Sequence, residues 1–500
     1  MDHDALPSTT TAPISHRIAD VNQANLAFLH HSMKIMARKI GRDHAYESNA
    51  TGHFAWDVSL MVRAACLGWR VTREPQFLEH AAAWSRHMIE RTDEALGVVD
   101  WRGRTVPAWS AGSRYTAGTT AIGTIGGAPI HLQAAAKHLS IEQRGESEAV
   151  IHVARGDGST WSSPVASLCA GDENYLPDLL ARRSASLSVL VRGLPAPVDL
   201  TGILTGDHEL EPQFAAHLVH TGLIARSLLA TAETLEDAPR TVSSAISPAE
   251  LYEASRRALF VHDADIRTRF GKSWYITPED FPGRRLGLDL PHNHVADAAT
   301  SFLILGRRFD DKGLHNLGAS LTQKFVGEID AYMAGALRHP WFYYPVDSDV
   351  FLGVTRDEPM AERTILPVQR GEDSSHATLR VRALAEWKAL DPNLVSDEAM
   401  SAVALAFRRY FMTAKKGIAT LRWLPGEADD APRGGTADSY PGAWGALAPW
   451  DSTIKRRINS MAYRHHPTAI YGATVLSSAE ILAMNKGIPT YASSDRNAPA

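Results

Sequence analysis

Apolar side chains recur at every third or fourth position along most of this chain, which is the period of amphipathic α-helices. One such stripe consists of Val58, Val62, Ala65 and Trp69. Proline is favoured in the first turn of a helix, so Pro75 predicts the start of the next one. Residues 247–250 combine an N-cap serine, a first-turn proline and a capping-box glutamate. We therefore predict helix pairs that repeat along the chain, with further starts near Asn293, Leu314, Ser374 and Asp397 and a last helix over residues 470–483.

Two stretches break the helical period. Residues 149–154 alternate between the two faces of a strand, and a Gly-Asp-Gly turn and a weaker strand signal after Trp161 follow them. This pattern predicts a β-hairpin. Residues 424–448 are rich in proline and glycine, which indicates a long loop, and loops of this length are often functional lids.

The helix pairs recur at irregular intervals, and polar clusters precede several of them. Both features favour a closed ring of helical hairpins around a shared cleft over an open stack of simple repeats. We predict a mainly α fold, an α/α toroid that forms an incomplete or closed ring of helical hairpins, with a small β-hairpin insertion. The expected organisation is a flexible arm over residues 1–20, one catalytic domain over 21–490 with an insertion near 123–212, and a flexible tail over 491–500.

The composition limits the partners of the chain. It is 44% hydrophobic and 21% charged, as in an ordinary globular protein, and its formal charge of -5 offers no bulk positive field for nucleic acid or an anionic membrane. The 2 cysteines form neither a disulfide framework nor a zinc set. The start of the chain lacks a secretory pattern and no apolar run is long enough to span a bilayer, so we expect a cytoplasmic protein unless a signal was removed.

Four polar clusters stand near predicted helix starts and are candidates for chemistry. They are residues 109–115 with Arg114 and Tyr115, residues 217–222 with His217 and His220, residues 290–294 with His292, Asn293 and His294, and residues 371–376 with Glu372, Asp373 and His376. Ordinary structural roles compete with each of these interpretations: Asn293 can cap the next helix, and a buried histidine can be satisfied by a backbone carbonyl. The pair His292 and His294 has no third metal ligand at a recognisable spacing.

These clusters resemble motifs of the α/α-toroid proteins that include the glucuronyl C5-epimerases and the rhamnosyl-glucuronate lyases. The motifs occur in the same order here, over residues 109–450. The resemblance lies in Arg114-Tyr115 and in residues 219–222, 271–275, 290–293, 372–377 and 444–450. It implies removal of the proton beside a uronate carboxylate, most simply by a β-eliminating lyase that acts on a uronate-containing oligosaccharide or another small anionic substrate.

The same resemblance implies roles for individual residues. The catalytic set is His220, Tyr115 and His376, with a neutral histidine as the base and the phenol as proton donor. The substrate-binding set is Arg114, Asn293, His294, His217, Tyr275, Glu372 and Asp373, in which Arg114 and Asn293 stabilise the charge that develops on the carboxylate. No metal ligand is assigned. The sequence does not decide whether a loop binds a Ca²⁺ ion.

Other functions remain open at this point. The same chemistry serves a glucuronyl C5-epimerase. An inverting glycoside hydrolase needs two carboxyl groups about 6.5 to 9.5 Å apart, for which Asp57, Glu372 and Asp373 are the available acids. A small-molecule isomerase or dehydratase and a non-catalytic helical scaffold are the two further alternatives.

Overall fold

Helices make up about 53% of the residues that the structure describes and strands about 16%, the strands in several antiparallel sheets. The prediction of a mainly α fold, an α/α toroid with a small β-hairpin insertion, is therefore wrong: the fold is mixed α/β. The computed structural model describes residues 14–40, 42–112, 115–154, 158–183, 189–194, 196–202, 205–239, 244, 246–269, 271–283, 286–348, 350, 371–415, 418–422, 424–426, 441–464 and 469–490.

The helices are distributed along the whole chain. In chain order they are α1 (Ile14–Lys39), α2 (Ser59–Thr72), α3 (Pro75–Ile89), α4 (Asp93–Leu96), α5 (Leu176–Arg183), α6 (Leu218–Asp237), α7 (Pro248–Phe260), α8 (His292–Phe309), α9 (Lys312–Met333), α10 (Ser374–Leu390), α11 (Asp397–Tyr410), α12 (Ser452–Arg464) and α13 (Gly472–Lys486). A π-helical turn, Phe54–Val58, runs directly into α2, and a 3-10 helix, Pro441–Leu447, precedes α12.

Most strands lie between α4 and α6. They are β1 (Ser110–Ala111), β2 (Gly118–Ile125), β3 (Ala128–Ala134), β4 (His138–Gln143), β5 (Glu148–Ala154), β6 (Thr160–Ser162), β7 (Ala166–Ser167), β8 (Leu190–Arg192), β9 (Gly206–Glu209), β10 (Glu211–Pro212) and β11 (Ala215–Ala216). Two further hairpins are β12 (Ile266–Arg269) with β13 (Lys272–Tyr275), and β14 (Met412–Lys415) with β15 (Ile418–Leu421).

The local signals in the sequence explain several helix starts. Pro75 occupies the first turn of α3, as predicted. The capping box before α7 is also confirmed: Ser247 accepts from the backbone N–H of Glu250, whose side chain accepts from the N–H of Ser247. These caps satisfy N–H groups that have no partner within the helix.

The inner helices pack in a closed circuit of contacts. Helix α2 packs on α6, α6 on α8 and α8 on α10; α10 then contacts the 3-10 helix Pro441–Leu447, which contacts α13, and α13 packs back on α2. One continuous apolar core fills the contacts between these helices and the outer ones.

A buried network of charges joins four of the inner helices. Glu386 on α10 accepts from Arg63 of α2 at 2.9 Å and from Arg226 of α6 at 2.6 Å. Glu480 of α13 accepts two hydrogen bonds, of 2.6 and 3.0 Å, from Arg382 of α10. Paired charges of this kind can be buried because each partner satisfies the other. They place polar residues on helix faces that amphipathic patterns would treat as solvent-exposed.

Residues 118–212, here called the β lobe, have a second apolar core of their own. One sheet has the strand order β10-β2-β3-β8 and another the order β6-β5-β4-β9, with β7 paired to β5. The two strands expected at residues 149–154 and after Trp161 do pair, with Val153 opposite Trp161, but they belong to the five-stranded sheet. The β-hairpin that we predicted is thus a small part of a two-sheet insertion, because the weaker alternation in β2, β3, β4 and β8 gave no clear signal.

The ends of the chain are only partly described. Helix α1 begins at Ile14, inside the predicted arm of residues 1–20, whereas residues 1–13 and the predicted tail 491–500 lie outside the described residues. Of the predicted loop 424–448, residues 427–440 also lie outside them. None of the helices in the described ranges is long and apolar enough to cross a membrane.

Candidate functional site

Two adjoining cavities form one cleft at the ends of the inner helices. The first, of about 510 Å³, is lined by the starts of α6 and α8 and by the hairpin β12–β13. The second, of about 550 Å³, is lined by residues near the starts of α2, α10 and α13. Trp56, Tyr115 and His376 line both cavities and therefore stand at their junction. Tyr115 and His376 are two of the three predicted catalytic residues.

A short strand pair brings Tyr115 to the histidines of α6, although the β lobe separates them in sequence. Strand β1 pairs with β11, so that Ala111 stands opposite Ala215 and the two ends of the insertion meet. Tyr115 follows β1, and His217 and His220 follow β11. The phenol ring therefore packs edge-on against His220, with ring centroids 4.5 Å apart.

His376 lies in the first turn of α10 and forms a dyad with Asp373. The carboxylate caps the helix by accepting from the N–H groups of Ser375 and His376, and its other oxygen contacts His376 Nδ1 at 2.5 Å. Burial opposes ionisation of Asp373, but the hydrogen bonds from His376 and Ser375 outweigh it and hold the pKa of the carboxyl below its usual value. A carboxylate at Nδ1 fixes that nitrogen as the donor, so Nε2 is the proton-accepting atom of the ring.

His220 is in a different situation, because its Nε2 already accepts a hydrogen bond from a neighbouring side chain. Trp56 Nε1 donates to His220 Nε2 at 3.0 Å. Asn49 Nδ2 lies 3.2 Å from Nδ1, and Asn49 is held in place because its Oδ1 accepts from the N–H of Ala55 and its Nδ2 donates to the carbonyl of Trp109. The ring is fully buried, and burial together with His217 and His294 lowers its pKa well below the usual value. This environment suits a positioning residue better than a base.

His217 and Tyr275 line the first cavity, and each has a buried polar atom. His217 Nε2 and the Tyr275 hydroxyl have no hydrogen-bond partner within the described part of the chain. Burial, and then His262, lower the pKa of His217 to about 3, so the imidazole is neutral. Burial and the nearby Asp263 and Asp265 raise the pKa of Tyr275 well above its usual value, so the phenol stays protonated.

The other predicted binding residues are distributed differently. His294 lines the first cavity, whereas Asn293 does not line either cavity and both polar atoms of its buried side chain are unpartnered among the described residues. The alternative role of Asn293 as a helix cap is not observed either, because Pro291 occupies the N-cap of α8 and Asn293 lies within the first turn. Arg114 lies outside the described residues.

The three acids considered for a hydrolase are all committed to other contacts. Asp57 accepts from the Tyr46 hydroxyl at 2.7 Å and from the N–H of Gly472. Glu372 is fully buried and pairs with Arg380 at 2.7 Å; burial raises its pKa to about 7 in spite of this cation. Asp373 caps α10 and orients His376. Across the described ranges, no group of three or more histidine, cysteine or acidic side chains is arranged to hold a metal ion.

Sequence reasoning missed Asn49, Gly52 and Trp56. Gly52 has a φ of +81° and no side chain, and an added Cβ would lie 2.6 Å from the Tyr115 hydroxyl, so this glycine provides the space for the phenol. An Asn-Ala-Thr-Gly run before α2 is a recognisable turn signal. Nothing in that signal indicates that the turn would face residues far along the chain.

No protein-family model, curated protein or solved structure matches this chain.

Proposed function

We propose that this chain is an enzyme that removes the proton beside the carboxylate of a uronate-containing oligosaccharide and cleaves the chain by β-elimination. The observation that carries the proposal is the His376–Asp373 dyad at the junction of two cavities, with Tyr115 lining the same junction. A carboxylate-oriented histidine and a phenol are a base and an acid that can act on one sugar residue.

The roles follow from the contacts of each group. His376 Nε2 takes the proton from carbon five, because Asp373 holds Nδ1 as a donor and stabilises the imidazolium that forms. The electron pair becomes the double bond between carbons four and five, and the bond from carbon four to the leaving oxygen breaks. Tyr115 gives its proton to that oxygen. Proton exchange with solvent then restores the neutral imidazole and the phenol.

His220 has a positioning role in this scheme. It accepts from Trp56, whose ring lies between His220 and His376 with centroid distances of 5.9 and 6.5 Å, and it packs on Tyr115. His220 therefore holds two members of the junction in place. Its own acceptor nitrogen is occupied by the indole N–H.

The size of the cleft supports an oligosaccharide as the substrate. Each cavity has the volume of a typical small-molecule site, about 300 to 1,000 Å³. Aromatic side chains line the first cavity, and three of them, Trp56, Tyr115 and Tyr343, are partly exposed and can offer flat apolar surfaces to sugar rings. A bond placed at the junction has room for a sugar residue on each side.

The test is incubation of the full chain with glucuronate-containing oligosaccharides in D₂O. A lyase produces the ultraviolet absorbance of a conjugated unsaturated uronate, together with a new reducing end. Deuterium at carbon five without chain cleavage would instead identify an epimerase, and new reducing ends without absorbance a hydrolase. Absence of all three signals over a panel of uronate linkages would contradict the proposal.

A further inference from the structure

We infer that the first cavity is an anion subsite that holds the substrate carboxylate on the first turn of α6, between His217 and Tyr275. The inference rests on the proposed function for the identity of the anion as a uronate. It replaces Asn293, which lines neither cavity, with residues that line the first one.

The start of α6 lacks the cap that helices of this length usually have. His217 occupies the N-cap, a position where Ser, Thr, Asp or Asn is preferred, and its side chain makes no capping hydrogen bond. The N–H groups of the first turn have no partner within the helix, and 20 aligned residues place a positive dipole end there. Residues 216–220 line the first cavity as a continuous run. An anion in this cavity meets these donors directly.

A second, independent observation points to a ligand at the same place. Tyr275 is fully buried on β13, lines the first cavity, and has a hydroxyl with no hydrogen-bond partner in the described ranges. Buried polar atoms in folded proteins nearly always have a partner. Because the phenol is protonated, it donates to an acceptor, and a carboxylate is the strongest acceptor that a uronate offers.

Two acids also line this cavity, and each has a basic group beside it. Asp289 pairs with Lys324 Nζ at 3.3 Å, and Asp265 lies 3.8 Å from His262 Nδ1. The charge of Asp289 is therefore partly compensated before a ligand binds. His217 contributes no charge of its own, so discrimination for an anion comes from the helix start and the phenol.

The experiment measures binding of methyl β-D-glucuronide and methyl β-D-glucoside to the full chain by calorimetry. The two sugars differ only in a carboxylate against a hydroxymethyl group. We expect about tenfold tighter binding of the glucuronide. In His217→Ser the serine oxygen caps the helix and competes with the ligand for the N–H groups of its first turn. We therefore expect the variant to bind the two sugars equally, while its resistance to urea is kept or increased. Tyr275→Phe reduces the preference several-fold, and His315→Ser, a half-exposed control on α9 that lines neither cavity, leaves it unchanged.

The outcomes separate the inference from the proposed function. Equal affinity for the two sugars in the unmodified protein, or a preference that survives in folded His217→Ser, overturns the anion subsite even if elimination is observed. A preference lost in His217→Ser supports the subsite, and it does so even if no uronate oligosaccharide is cleaved, in which case the proposed function alone fails.

Discussion

Helices α6 and α10 both begin in the cleft and both carry a histidine near their start, yet their first turns are built in opposite ways. At α10 an aspartate caps the helix and orients His376, which is 37% exposed. At α6 a histidine occupies the cap position, and His220 is fully buried between the indole of Trp56 and the amide of Asn49. The capping residue thus decides what each helix start offers to a ligand.

The difference has a chemical consequence. A capped start uses its N–H groups internally, and its acidic cap makes the adjacent histidine a better base. An uncapped start keeps its N–H groups for an anion, and its positive end disfavours an additional proton on a nearby histidine. In the mechanism that we propose, the two helices together supply a base on one side of the cleft and a binding site for negative charge on the other.

The largest expected effect comes from removing the proposed base. His376→Ala should lower kcat for elimination by about 10² to 10⁴-fold, the usual contribution of a general base, with little change in KM. Asp373→Asn keeps a capping side chain but removes the negative charge, so we expect an intermediate loss. The measurement is the initial rate of absorbance increase on a uronate oligosaccharide. His315→Ala serves as the control, and full activity of His376→Ala would rule out this histidine as the base.

The next effect concerns stability and tests the role of His220. His220→Ala leaves a cavity and removes the ring that Trp56 and Asn49 contact, so the free energy of unfolding should fall by about 2 to 4 kcal/mol. His376→Ala, at a half-exposed site, should change it by less than about 1 kcal/mol. Urea titrations of both variants measure this difference. If His220→Ala were as stable as the parent and inactive, His220 and not His376 would be the better candidate for the base.

A smaller effect is expected from Gly52→Ala. The added methyl group would meet the Tyr115 hydroxyl, and the phenol must move, so kcat should fall about tenfold. Gly97→Ala is the matched control, because Gly97 has a similar φ of +68° but open space around it. Both variants share the cost of a left-handed residue, about 1 to 2 kcal/mol. Equal activities of the two would show that Tyr115 does not depend on this glycine.

The smallest effect is a change in how stability depends on pH. The pKa of His217 is about 3 in the folded protein and 6.5 in a model peptide, so between these values the unfolded chain binds a proton that the folded chain does not. Stability therefore falls as the pH drops below about 6.5, by at most about 1.4 kcal/mol per pH unit for this group. If this group is responsible, the urea midpoints of the parent and His217→Ser should move apart as the pH is lowered from about 7 to about 5, because protonation of His217 in the unfolded chain destabilises the parent alone. A constant difference would exclude it.

The sequence predicted the helices better than the fold. Helices α3 and α7 begin where Pro75 and the capping box at Ser247 place them, because these signals act within one turn. The β lobe was underestimated, because short strands with mixed burial, such as β8, carry little pattern of their own. Their pairing depends on contacts between residues far apart in the sequence.

The candidate site was predictable only in part. Tyr115, His376 and His217 all line the cleft: the two histidines lie at helix starts, whereas Tyr115 is brought there by the pairing of β1 with β11. The environments of the histidines could not be predicted from the sequence: the side chains that contact the two ring nitrogens of His220 are Asn49 and Trp56, which are far away in the chain. Whether a histidine is a base or a buried support depends on such partners.

The pairing of β1 with β11 also bears on how this chain tolerates change. Because Ala111 and Ala215 are already cross-strand neighbours, the ends of the insertion are fixed at the spacing of a strand pair whatever lies between them. Lengthening or shortening the β lobe alters the entropy of closing that loop only slowly. The β lobe can therefore change in sequence or length, or be replaced by another domain, without disturbing the rest of the fold. The β1–β11 register that holds Tyr115 against α6 would be kept.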